Sequence, residues 1–355
     1  MVTPERLYDL ARTTVTVGTL AAGVFAVVYA YRKQRIDEAS SFRADAEQFN
    51  KRYQDAAVQL GHERGAVRLA GVYAMGRLAD DWGEAREMCV DLLCAYLRTP
   101  YRSSAGHDDE SLVRATIFDL IRAHTVDPDD PASWSGMDFD FRGGTFDQFS
   151  LAGGNFRGEV NFSDAVFTGM HRRPEGRNYG WFGFENCTFE GDVSFFQARC
   201  DGGIMCFDQA RFAAVVHWGG SVFNNFNLFF RGSVFEGGRV YFGGSIFCQT
   251  SDGRSLGNVN FDRAVVREAA IVFNAVELVG RVLLNLKGMV MGAGDCTLRL
   301  CFSAVRNDSE MRPRVFVPAR LGRHPGFSWE ASFVSAPTAR VARVLSGARV
   351  GESGT

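Results

Sequence analysis

The 355-residue chain has no CxxC pair. Its eight cysteines (Cys89, Cys94, Cys187, Cys200, Cys206, Cys248, Cys296 and Cys301) are scattered, and none has a histidine at ligand spacing. That pattern argues against a zinc site and suits free thiols in a reducing compartment. Charge of one sign is also missing. The net charge is −2, which advertises neither a nucleic-acid surface nor an acidic mimic. No GxxxxGK[ST] loop occurs, and no GxGxxG falls between a strand and a helix, so the common phosphate cradles are absent. The six histidines (His62, His107, His124, His171, His217 and His324) are dispersed. GGSVF and GGSIF look like pieces of a nucleophile elbow but lack its second glycine. Nothing here assembles a catalytic group, and the chain reads as non-enzymatic, with no cofactor and no metal.

What is present falls into blocks. Thr13 to Tyr31 (TTVTVGTLAAGVFAVVYAY) carries no charged side chain, and as a helix it spans roughly 28 Å, about the hydrocarbon thickness of a bilayer. Arg32, Lys33 and Arg35 follow at once, whereas Arg6 and Arg12 are offset by Glu5 and Asp9. The positive-inside rule puts the C-terminal bulk in the cytoplasm, which predicts a single-pass protein of the cell membrane. A cleavable signal is the competing reading, set back by basic residues that lie downstream of the apolar run. From Asp37 to His124 the apolar spacing becomes helical: Phe42, Phe49, Tyr53, Ala56 and Leu60, then GAVRLAGVYAMGRLADDW, then Val90, Leu93, Cys94 and Leu97, then Val113, Ile117, Leu120 and Ile121. This is a small helical module.

The 31 Phe and 39 Gly are concentrated between Met137 and Gly294. Large residues recur in pairs five apart: Phe141/Phe146, Leu151/Phe156, Phe162/Phe167, Phe184/Phe189, Phe195/Cys200, Phe207/Phe212, Trp218/Phe223, Phe230/Phe235, Phe242/Phe247, Phe261/Val266, Phe273/Leu278 and Leu284/Met289. A small or apolar residue commonly stands two positions earlier, as at Gly144, Ala165, Ala210, Ser221 and Ser245. Residues i and i−2 of a short extended segment point the same way, so a large and a small side chain together fill one interior face. Gly, Asp and Asn then permit a corner. In that frame the serines of GGSVF and GGSIF are the small interior residues, His217 points outward, and Cys200 is a buried stand-in for Phe.

This pattern resembles the pentapeptide-repeat family, in a divergent form with one or two spacer residues after each pair of five-residue repeats. RLAGVYAMGRLADDW…CVDLLCAYLRTPY also resembles the membrane-proximal region of membrane-anchored bacterial members. The resemblance implies a mainly β fold, a right-handed quadrilateral β-solenoid behind a transmembrane helix and a helical module. The expected divisions are residues 1–36 with the membrane helix at 13–31, a helical module over 37–133 and the solenoid over 134–294. Cap strands at 295–335 and a disordered tail at 336–355 complete the layout. Two pairs per coil give about six coils, roughly 29 Å in all.

Two inserts interrupt the repeat, TGMHRRPEGRNYGW after Phe167 and CQTSDGRSLGN after Phe247. They are six pairs apart, so three whole coils separate them and both should leave one edge of the solenoid, with three strand layers between their bases. The first carries His171, Arg172, Arg173, Arg177, Tyr179 and Trp181, a basic-aromatic set suited to an acidic or phosphorylated partner. The second insert spans residues 248–258. The chain is therefore expected to be a membrane-anchored scaffold that binds a protein partner, compatible with a homo-oligomer and without nucleic acid. The alternative within the family is a DNA mimic that shields topoisomerases. That role needs an acidic shaft, and residues 137–290 hold 16 acidic against 14 basic side chains. An enzyme of unfamiliar type is the third class.

Overall fold

The computed structural model describes residues 4–100, 109–173, 176–249, 257–292, 295–306 and 313–331. The chain divides into two compact units, residues 1–57 and 58–355. The first is built on α1 (Pro4–Leu60), one uninterrupted helix. It is long and apolar enough to cross a membrane by length and composition, and the apolar window is wholly exposed.

In the second unit, α2 (Gly65–Asp81), α3 (Arg86–Arg98) and α4 (Asp109–Thr125) precede many short parallel strands arranged in a solenoid-like stack. The reason lies in one recurring turn. In ten of the twelve pairs the first large residue is followed two positions later by a residue at positive φ, and the third residue on donates its N–H back to the large residue's carbonyl. Phe141, Gly143 (φ 68°) and Gly144 form one example, with Gly144 N donating to Phe141 O at 3.1 Å. Phe162, Asp164 (φ 59°) and Ala165 repeat it, as do Trp218, Gly220 (φ 69°) and Ser221. A positive φ at the third turn position is what a type II turn demands, and Gly, Asn and Asp meet it with least strain. The small residue of the sequence pattern is the closing residue of that turn. Ser221 and Ser245 are fully buried there, and their hydroxyls donate to the carbonyls of Phe195 and Trp218 at 2.6 Å.

The turns place strands in four columns along which successive coils pair in parallel. The first column runs Phe139, Val160, Val193, Val216, Val240, Ile271, Leu298 and Phe327. The second runs Phe146, Phe167, Cys200, Phe223, Phe247, Leu278 and Val305. The third runs Phe149, Phe182, Met205, Leu228, Val259, Leu284 and Val315. The fourth forms a separate six-stranded sheet through Phe156, Phe189, Phe212, Phe235, Val266 and Met291. Residues 139–156 are thus coil one, and coils two to six open at Val160, Val193, Val216, Val240 and Ile271. The strands Thr297–Arg306 and Arg314–Phe316 continue the first three columns as a seventh, partial coil, and Phe327–Ala331 pairs on the first of them to open an eighth in the first column.

Aromatic rings stack along the interior. Phe162, Phe195 and Trp218 lie 5.2 and 3.9 Å apart between centroids, nearly coplanar in orientation, and Phe184, Phe207, Phe230 and Phe261 follow at 4.7, 5.0 and 4.7 Å. At the first coil α4 supplies the ring that continues the stack, since Phe118 sits 4.1 Å from Phe149 with an interplanar angle of 11°. The open end of the first coil is therefore covered by a helix, which removes the exposed strand edge there.

Candidate functional site

The corner between the second and third columns differs from the others. In coils three and four one strand crosses it without a break, Arg199–Cys206 and Val222–Phe229. In coil two the chain leaves after Thr168 and returns at Trp181. In coil five residues 250–256 separate the described strands Ile246–Gln249 and Gly257–Asn260, and in coil seven residues 307–313, of which 307–312 lie outside the described residues, separate Thr297–Arg306 from Arg314–Phe316. Both inserts identified in the sequence therefore leave one corner, three coil steps apart. Two strands lie between their bases, Arg199–Cys206 and Val222–Phe229, where three layers were expected. The third interruption, residues 307–313, was not visible in the sequence because the five-residue spacing ends before it.

The first insert is an antiparallel hairpin of Met170–Arg173 and Gly176–Tyr179. Its register sets Met170 opposite Tyr179, His171 opposite Asn178, Arg172 opposite Arg177 and Arg173 opposite Gly176. Five of the six expected site residues (His171, Arg172, Arg173, Arg177 and Tyr179) thus lie on two paired strands. Residues 174–175 of the first insert and 250–256 of the second lie outside the described residues.

Glycines fix the neck of the hairpin. Gly180 N donates to Gly169 O at 2.6 Å, Gly169 N to Asp201 O at 3.1 Å and Ile204 N to Gly180 O at 2.9 Å. A methyl on Gly169 would collide with the carbonyl oxygen of Gly202, and one on Gly180 would stand 2.5 Å from Asp147 O and from Gly169 Cα. The neck is clamped between coils one and three, and only glycine fits that clamp.

Trp181, the sixth expected residue, stands at the foot of the hairpin and is 40% exposed. Its neighbour Phe182 turns fully inward. Between them and the sheet Gly183 leaves a notch. The place of its missing Cβ lies 2.7 Å from Glu185 Oε2, 2.8 Å from Ser150 Oγ and 3.0 Å from Trp181 Nε1. Glu185 Oε2 is buried there without a hydrogen-bond partner, and its burial pushes the carboxyl above the usual carboxylate range. Sequence reasoning missed Glu185, Ser150 and Gly183. Ser150 lies in the preceding coil, so only the coil register brings it to Trp181.

Beyond the neck a polar ladder climbs the corner. Arg199 Nε donates to Asp201 Oδ2 at 2.7 Å, Asn224 Nδ2 to Asp201 Oδ1 at 3.3 Å and Asn225 Nδ2 to Asn224 Oδ1 at 3.1 Å. Further along the same corner Gln249 is 1% exposed and has neither amide atom hydrogen-bonded. Among the described residues no cluster of His, Cys, Asp and Glu is placed to hold a metal ion. No family model, curated protein or solved structure matches this chain.

Proposed function

We propose that this chain is a membrane-anchored solenoid of the pentapeptide-repeat kind, right-handed and four-sided, that presents the interrupted corner to a protein partner at the cytoplasmic face. One observation carries the reading: in three coils extra residues separate the second- and third-column strands, always at the same corner of an otherwise regular stack. Repeat proteins commonly place binding loops on one face, because insertions there leave the stack intact. The glycine clamp supports it further, since a rigid neck lowers the entropy lost when the hairpin is bound. Arg172, Arg173 and Arg177 supply charge for an acidic or phosphorylated surface, and exposed Trp181 supplies an apolar anchor at its base. The anchor rests on the exposed apolar run of α1 and the basic residues that follow it.

Proximity labelling in cells tests this. A full chain with a biotin ligase fused after Thr355 is compared with one in which residues 170–179 are replaced by two glycines. Selective loss of labelled neighbours in the shortened chain is the expected result. Identical neighbours from both chains would remove the corner as the binding surface.

A further inference from the structure

At the far end of the stack the solenoid does not close its seventh coil. The chain runs down the third column to Phe316, then turns away at Pro318 into a short 3-10 turn, Leu321–Arg323, before rejoining the first column. Among the described residues no seventh strand covers the fourth column, whose last member is Val290–Met291. The departure leaves a groove of about 530 Å³ lined by Leu283, Asn285, Lys287 and the run Phe316 to Ala319. That volume lies in the range of small-molecule sites, and such sites pair apolar walls with a few placed polar groups. Here the walls are Leu283, half-buried Pro318 and Ala319, buried Val317, and Phe316, which is 40% exposed.

The polar groups of the groove are not equivalent. Asn285 is satisfied: Nδ2 donates to Asn260 Oδ1 at 3.2 Å, and Oδ1 accepts from Lys287 N at 3.0 Å. Arg320, close by, spends its guanidinium on the carbonyls of Gly288 and Met289. The Lys287 ammonium has no acidic partner among the described residues. Neither has Arg314, which pairs with Leu283 at the other end of the groove. This sets them apart from most arginines of the stack, which face an acid: Arg142 with Asp140, Arg199 with Asp201, Arg231 with Asp208, Arg267 with Glu236 and Arg299 with Glu330. An apolar trough with an unneutralised cation at its rim complements an aliphatic chain that ends in an anion.

We propose that this groove binds an aliphatic carboxylate, its chain along Leu283, Phe316 and Val317 and its carboxylate on Lys287. The groove begins beside the strand at which the third interruption returns, but neither its lining nor its charge uses the residues of the inserts. To test it, the full chain in lipid bilayer discs is photolysed with a diazirine-bearing decanoic acid, and the label is mapped by mass spectrometry. Label should fall on peptides that cover 283–287 and 316–319. Lys287→Gln should lower it about tenfold, the weight of one charge-assisted hydrogen bond, and Lys287→Arg should keep it. The matching diazirine decanol should label these peptides only at background. Thermal melts of both variants verify that the stack is intact. Equal labelling by the alcohol, undiminished labelling of a folded Lys287→Gln chain, or label confined to α1 would each overturn the proposal.

Discussion

Glu185 is the residue at which burial and charge conflict most openly. Its Oε2 fills the Gly183 notch beside Trp181 Nε1 and Ser150 Oγ without a hydrogen bond, and desolvation raises its folded-state pKa above the unfolded value. Between those two values the folded chain holds more protons than the unfolded one, so stability falls as pH rises through that window and stays lower at neutral pH. Glu185→Gln should therefore raise the melting temperature at pH 7 and leave it unchanged below about pH 4. Thermal melts across pH decide this, and a loss of stability at pH 7 would mean that the ionised carboxylate is needed where it stands. A second residue pair tests the interior frame. Phe223 is 2% exposed and stacks on Phe247 at 4.4 Å, whereas Asn225 sits at the corner with φ 51°. Phe223→Asp should cost more than about 3 kcal/mol, through the lost ring and a buried charge. Asn225→Asp keeps a residue tolerant of positive φ and should cost less than about 1 kcal/mol. Urea unfolding of both variants measures the contrast, and equal costs would sink the assignment of interior and corner.

At the scale of elements, the hairpin neck makes the sharpest demand. Gly169→Ala pushes a methyl into the backbone of the next coil and should cost about 1–3 kcal/mol, as overpacking does. At Gly136 nothing lies within 4 Å of an added Cβ, so Gly136→Ala is the silent control in the same denaturation series. The elements also show where reading the sequence succeeds. The stack was legible because each coil reuses the same large residue before a turn that needs positive φ, so chemistry repeats with geometry. The third column was obscured. Phe149, Phe182, Met205 and Leu228 stand two before the first large residue of a pair, where the pattern asks only for a small or apolar residue and so does not single out a column of large ones. The strands expected to cap the last coil pair on it in register, and the sequence does not show that register because Leu298, Leu300 and Phe302 alternate by two instead of spacing by five. The boundary expected after residue 36 followed a change in charge. Gly and Pro are common helix stops, and neither occurs between Gly23 and Gly61, where α1 runs through. Of the corner site, the shared edge of the two inserts followed from counting coils. The notch at Gly183 did not, because it joins residues of different coils.

On the scale of the whole molecule, the two units solve the problem of apolar surface differently. The stack buries nearly every large residue in its own interior. The helix that precedes it leaves Val15, Val17, Leu20, Val24, Phe25, Val27 and Tyr29 each more than 60% exposed. Soluble proteins rarely leave so continuous an apolar surface in water, at about 25 cal/mol per Å². At 57 residues the helix would extend roughly 85 Å, of which the apolar run takes only the first part and charged residues take the rest. On the proposed reading a bilayer around Thr13 to Tyr31 would remove that cost, and Arg32, Lys33 and Arg35 would mark its cytoplasmic boundary. Deletion of Thr13–Tyr31 should move the chain from the membrane pellet to the soluble fraction with the melting temperature of the stack unchanged, because none of the deleted side chains belongs to its core. A reporter fused after Thr355 in the full chain should be active on the cytoplasmic side and protected from protease added outside. Protease access to that reporter in intact cells would reverse the orientation and place the free cysteines in an oxidising compartment, where their lack of pairing would need a different explanation.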